Sequence, residues 1–189
     1  MDLRRFVQSH PLRAAVIFQG ALIPLAVLLG ALLGIPVLGR IDWNIAAVVI
    51  GVLATVPMLG FLALLAASEL QAYRVLESQV RGFLRTLFRG APVGSVALLA
   101  LLAGFGEEML VRGVLQGWLT EQMPVVWAIL LAAVVFGLAH YLSGFYFLFA
   151  TVIGIYLGVV YHVTGNLLVV SLAHALYDWV VIRIYLRSR

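Results

Sequence analysis

The chain has 189 residues, 64% of them hydrophobic and only 11% charged, with a mean hydropathy of +1.12. Soluble domains hold about 45 to 50% apolar and about 25% charged residues, so a soluble globular domain is excluded and an integral membrane protein is expected. The net charge is +4 with arginine as every basic residue, and most arginines flank apolar segments instead of forming an aromatic-interleaved patch, so nucleic acid is not an expected partner; the absence of cysteine removes disulfides, thiolate nucleophiles and thiolate metal ligands together.

Apolar runs of about 20 residues predict six spans, 14–36, 43–66, 93–119, 124–142, 145–163 and 166–186. The first follows Arg4, Arg5 and Arg13 as a signal peptide would, but it is long and ends in Gly34-Ile35-Pro36 without a clear cleavage site, so an uncleaved helix is expected. Between spans two and three, residues 67–90 carry Leu70, Tyr73, Leu76, Val80, Phe83, Leu84 and Leu87 at helical spacing, with arginines between. This predicts an amphipathic helix on the cytoplasmic membrane surface, opened by a capping box of Ser68 and Gln71 and braced by Glu77 with Arg81. Pro24 and Pro57 are expected to kink their spans, and Gly30/Gly34, Gly113/Gly117 and Gly154/Gly158 to allow close helix packing.

Arginines near 4–13, 74–89 and 183–189 fall on one side of a six-span arrangement, which puts both termini in the cytoplasm and leaves Arg40 in an outer loop. The expected fold is therefore all-α: a single membrane domain over 1–189, a polytopic bundle of about six transmembrane helices with one cytoplasmic-side amphipathic helix. Its direct surroundings are the lipid bilayer.

Against this apolar background stand Glu107, Glu108, Arg112, His140, His174 and Asp178. A charge at the bilayer centre costs roughly 2.5 to 3.5 kcal/mol, so the four formal charges threaten on the order of 10 kcal/mol unless they meet partners. Glu108 and Arg112 are four apart on a helix and can pair, as can His174 and Asp178; Phe136 and His140 repeat the spacing. Glu107 points about 100° away from Glu108 and has no cation on its own helix, which leaves it available for proton transfer. Counting about 1.5 Å per residue from the outer turns puts Glu107 roughly 18 Å, His140 roughly 24 Å, His174 roughly 12 Å and Asp178 roughly 18 Å deep, one layer near mid-membrane.

Two chemical readings follow. Glu107, His140 and His174 are the ligand types of a two-His, one-carboxylate site for a divalent ion such as Zn2+, although no His-Glu-x-x-His helix is present; alternatively Glu107 activates water without metal, one His assisting. Ser143 is a poor nucleophile, in a turn with only His140 near it. His162 reads as a helix-packing residue near the outer interface. Apart from hydrolysis, acids and imidazoles inside spans would suit a transporter or proton relay, but no internal repeat is evident. A non-catalytic immunity or scaffold protein is the third reading.

The motif Glu107-Glu108-Met109-Leu110-Val111-Arg112 resembles the E-E-x-x-x-R of the CAAX-protease and bacteriocin-processing (CPBP, or Abi) family of intramembrane proteases. Phe136-Gly137-Leu138-Ala139-His140 is similar to that family's F-x-x-x-H, and His174-Ala175-Leu176-Tyr177-Asp178 to its H-x-x-x-N/D. The resemblance covers about the last half of the chain and implies a catalytic core over 91–186. It implies a metallo-endopeptidase in which Glu107, Glu108, His140 and His174 form the site, supported by Arg112, Phe136 and Asp178. The substrate would be a membrane-associated peptide or protein, cut within a bacterial plasma membrane. Asp178 stands where the prenyl-protein branch has Asn, and an ionised carboxylate cannot donate to an oxyanion, so prenylated CAAX substrates are not implied.

Overall fold

The computed structural model describes residues 3–187; Arg189 and the side chains of Arg4 and Arg5 lie outside what is described. The described chain is helical throughout: α1 (Leu3–Ser9), α2 (Pro11–Leu32), a 3-10 turn (Leu38–Arg40), α3 (Ile45–Ala67), α4 (Gln71–Leu87), α5 (Ser95–Glu108), a π-helical segment (Met109–Gln116), α6 (Gly117–Gln122), α7 (Val125–Ala139), α8 (Gly144–Thr164) and α9 (Leu167–Arg187). Among the described residues α2, α3, α8 and α9 are each long and apolar enough to cross a membrane.

The other two predicted spans differ in build. Span four is only the 15 residues of α7, about 22 Å of helix against a hydrocarbon core of about 30 Å, because the chain turns at His140. Span three is one continuous rod from Ser95 to Gln122 whose middle widens into the π segment. The bundle is polytopic and the protein is an integral membrane protein, with four full-length spans and two elements of unusual construction.

Capping residues fix where the helices begin. Asn44 accepts from the Ala47 amide at 2.7 Å to start α3, and Ser143, far from acting as a nucleophile, caps α8 through the Tyr146 amide at 3.2 Å. Asn166 Oδ1 accepts from Leu168 N at 2.9 Å at the start of α9 and from Asp42 N at 3.1 Å, tying that start to the loop before α3. The predicted capping box is not formed: α4 begins at Gln71 after Leu70, and Ser68 Oγ instead donates back to Leu65 O at 2.7 Å, closing the end of α3. The Glu77–Arg81 pair is made, at 2.7 Å.

α9 is the central helix, packed against α5 and α3, while α7 lies on α8 and α2 on α5. The main core gathers Ala26, Met58, Met109, Leu157, Leu167 and Val170 from these elements. Gly154 meets Ala133, and Gly158 meets Ile129 and Gln116, as close packing requires, but Gly34 sits at φ +73° in the turn after α2 and makes no helix contact. α2 and α3 run on through Pro24 and Pro57 as single helices. Arg40 anchors that end of the bundle, its Nη1 donating to Tyr161 Oη at 3.2 Å and to Gly113 O at 3.4 Å. His162 is exposed at the last turn of α8, not packed between helices. The amphipathic α4 buries Tyr73, Leu76, Leu84 and Leu87 and lies against α9 and α8, where Tyr73 and Tyr185 hydroxyls meet at 3.2 Å.

Candidate active site

Adjacent residues at the end of α5 face different neighbours, and this divides the site in two. Glu108 is wholly buried; its Oε2 lies 3.1 Å from Arg112 Nε, and Arg112 is wholly buried as well. The fourth-residue spacing predicted this pair, although Arg112 stands on the π segment and not on an α-helix. The other Glu108 oxygen, Oε1, is 3.0 Å from His174 Nδ1 on α9. Two helices are thus joined through one carboxylate, and the Arg112 guanidinium lies 5.0 Å above the Phe136 ring. Among the described residues the Arg112 charge is met by Glu108 and the Phe136 ring alone, since Nη1 and Nη2 are buried without a hydrogen-bond partner.

Glu107 is held more loosely and is partly open. Its Oε2 lies 3.4 Å from His140 Nε2, the Glu107 side chain being 13% and that of His140 25% accessible. Its Oε1 accepts from Gln19 Nε2 of α2 at 2.8 Å. Asp178 is 3.7 Å from His174 Nε2, beyond hydrogen-bond length, so it neighbours His174 without gripping it.

The imidazole tautomers follow from their partners. His140 Nδ1 lies 2.9 Å from the Phe136 carbonyl, which can only accept, so Nδ1 carries the hydrogen. His174 Nδ1 faces an oxygen of Glu108, the carboxylate already paired with Arg112, and donates likewise. Both rings therefore turn Nε2 toward a carboxylate, Glu107 for His140 and Asp178 for His174. The Phe136 ring packs against both, tilted by 39° at 4.4 Å from His140 and edge-on at 5.8 Å from His174. The predicted residues Glu107, Glu108, Arg112, Phe136, His140, His174 and Asp178 thus lie in one chain of contacts drawn from α5, the π segment, α7 and α9.

A neutral Nε2 and an ionised carboxylate oxygen both accept, so at 3.4 Å they require a shared proton or a water donating to both. Nε2 lone pairs also suit a divalent ion. However, among the described residues no group of three or more His, Asp and Glu side chains is arranged to hold one, and His174 Nδ1 is committed to Glu108. The predicted Glu107, His140 and His174 ligand set does not converge among the described residues.

Two features escaped the sequence reading. Gln19 reaches Glu107 from 88 positions away; a polar residue inside an apolar span was a signal in itself, but nothing local indicated its partner. The second is a cavity of about 240 Å3 beside Asp178 and Tyr146, walled by Leu76 and Leu84 of α4, Phe149 of α8 and Ile182 of α9.

The comparisons with known proteins fall on this same half of the chain. Residues 89–180, which contain all three motifs, match the family described as Type II CAAX prenyl endopeptidase Rce1-like. The uncharacterized protein YpbD of Bacillus subtilis (strain 168) is 36% identical over 100 residues, covering 51% of this chain and 49% of that protein. The chain thus spans about half the length of that curated relative. No solved structure matches. The resemblance read from the motifs falls on the segment that carries them: residues 89–180 are similar to the type II CAAX prenyl endopeptidase Rce1-like family.

Proposed function

We propose that this protein is an intramembrane endopeptidase in which Glu107 activates water for attack on a peptide carbonyl. The observation that carries this reading is the Glu107 Oε2 and His140 Nε2 pair, two acceptors 3.4 Å apart inside an apolar bundle, the carboxylate oxygen itself buried and without a hydrogen-bond partner although both side chains are partly accessible. A water seated beside the pair, within hydrogen-bond reach of both atoms, donates one hydrogen to each. On attack, Glu107 takes the water proton as the oxygen bonds to the carbonyl carbon, and the tetrahedral oxyanion forms; the proton then passes to the leaving amine as the C–N bond breaks. His140, its ring fixed by Phe136 O through Nδ1, orients the water through Nε2. Glu108, Arg112 and His174 hold α5 and α9 in register around it, and Asp178 borders the side where substrate enters.

The apolar cavity beside Asp178 supports a substrate that presents hydrophobic residues near the scissile bond. The arginine distribution supports a cytoplasmic position for α4 and for the outer ends of α1 and α9, with the bacterial plasma membrane as the location. A divalent ion would require the two imidazoles to move together with Glu107. Metal analysis of the detergent-purified protein reads this directly: one zinc per chain with chelator-sensitive cleavage would replace the water-only mechanism.

The test is Glu107→Gln in protein reconstituted into phosphatidylethanolamine and phosphatidylglycerol vesicles with a quenched-fluorescence peptide library bearing an apolar anchor. The amide keeps the shape and removes the base, so cleavage should fall by at least about 1,000-fold with helical content unchanged. Undiminished cleavage in that variant rejects the mechanism.

A further inference from the structure

We infer that Gln19, on α2 and outside the family-matching segment, is the positioning residue of the general base Glu107. The inference rests on the hydrolytic reading above and adds a residue to it. Gln19 Nε2 donates to Glu107 Oε1 at 2.8 Å, which fixes the carboxylate plane and leaves Oε2 as the oxygen facing His140. A single amide donor orients a carboxylate without neutralising it, whereas an arginine, as at Glu108, would pair with it and draw off its basicity. The amide of Gln19 has a second use. Its Oε1 is buried and finds no hydrogen-bond partner in the chain, so it can accept from a substrate N–H.

A second observation shows that the fold makes room for this contact. Gly106 immediately precedes Glu107, and a Cβ there would lie 2.8 Å from the Gln19 backbone oxygen and 3.0 Å from Leu22 Cβ. The first of these neighbours is backbone and cannot move aside alone, so any larger residue at 106 must push α2 off α5 at the level of Gln19. Glycine at 106 and glutamine at 19 are therefore two parts of one device. Apolar α2 otherwise exposes Ile17, Phe18, Leu25 and Leu28 to its surroundings, while the inward side carries Gln19 to the carboxylate.

Three variants test this in reconstituted full-length protein. Gln19→Met keeps the side-chain volume and loses the donor; Gln19→Glu keeps acceptor oxygens and loses the donor; Gly106→Ala leaves Gln19 intact and displaces it. Each should lower kcat by about 10- to 100-fold with KM within about twofold, as expected when a reacting group is misplaced by about an ångström. Gln19→Met with kcat within twofold of the parent overturns the inference, as does a loss that appears only in KM. A spectroscopic arm needs no turnover. The carboxylate stretching band of Glu107, isolated as the infrared difference between the parent and Glu107→Gln, should shift in Gln19→Met, and an unmoved band overturns the contact. If the parent cleaves nothing while the band shifts, the hydrolytic reading fails and the Gln19 to Glu107 bond stands; if Glu107→Gln abolishes cleavage while Gln19→Met does not reduce kcat, only the inference fails.

Discussion

Glu107 and Glu108 are chemically identical neighbours on one helix, and the surrounding bundle gives them opposite fates. Glu108 is sealed, with Arg112 on one oxygen and His174 on the other, and nothing soluble reaches it. Glu107 has an amide on one oxygen and an imidazole across a gap on the other, and part of it stays accessible. The difference teaches that a helix's 100° step between successive residues is enough to separate a carboxylate that holds helices together from one that can exchange protons. The sharpest way to break this division is to remove the cation. Arg112→Met leaves Glu108 buried without its ion partner, which should destabilise the fold by about 3 to 5 kcal/mol, read as a large fall in thermal midpoint and in yield of monodisperse protein in detergent. Glu107→Gln, by contrast, should leave both unchanged while ending cleavage. Equal thermal stability of parent and Arg112→Met would mean that Glu108 is not a structural group.

The enclosed side also depends on how closely α5 lies on α9. A Cβ at Gly104 would meet Ser171 O at 2.6 Å and Ala175 N at 2.7 Å, both backbone atoms, so Gly104→Ala must separate the helices that Glu108 and His174 bridge. We expect a loss of about 1 to 3 kcal/mol, checked by thermal or denaturant unfolding in detergent. The wall between the two sides is Phe136, which touches His140, His174 and the Arg112 guanidinium at once. Phe136→Leu removes the ring contacts and leaves most of the volume, so about 1 to 2 kcal/mol of stability and about tenfold in kcat should be lost together. A variant that lost stability alone would show that the ring packs without orienting His140.

How much of this was legible in the chain follows from sequence distance. The Glu108–Arg112 contact could be read because four residues along a helix share a face, and four of the six expected spans because apolar length alone sets them. The same local logic put Asp178 on one face with His174, and the two meet at 3.7 Å, an ion-pair contact longer than a hydrogen bond. It missed His174 Nδ1 bonding to Glu108, since that bond spans 66 positions and depends on the packing of α5 against α9. Gln19 was invisible as a partner for the same reason. Local competition explains the remaining errors: Ser68 can serve the end of α3 as readily as the start of α4, and α7 ends at Ala139 although apolar residues continue to Leu142. The π segment has no local signature beyond the glycines at 113 and 117, which lie within and just after it.

The smallest expected effect concerns the acid that the motif spacing singles out. Asp178 is 30% accessible in its side chain and its Oδ2 is too far from His174 Nε2 for a hydrogen bond. His174 needs no second anchor, because Glu108 already fixes its tautomer and ring plane through Nδ1. Asp178→Asn keeps the shape and exchanges an acceptor for a donor at the border of the apolar cavity. Stability should therefore change by less than about 1 kcal/mol, as for the loss of a long, partly exposed ion contact that holds no hydrogen bond. In kcat the change should stay within about tenfold, and any larger share should fall on KM, because the side chain faces the cavity where substrate would lie. A thousandfold loss in kcat with unchanged KM would instead make Asp178 part of the reacting set. The division between a sealed and an open carboxylate would then have to include a third acid.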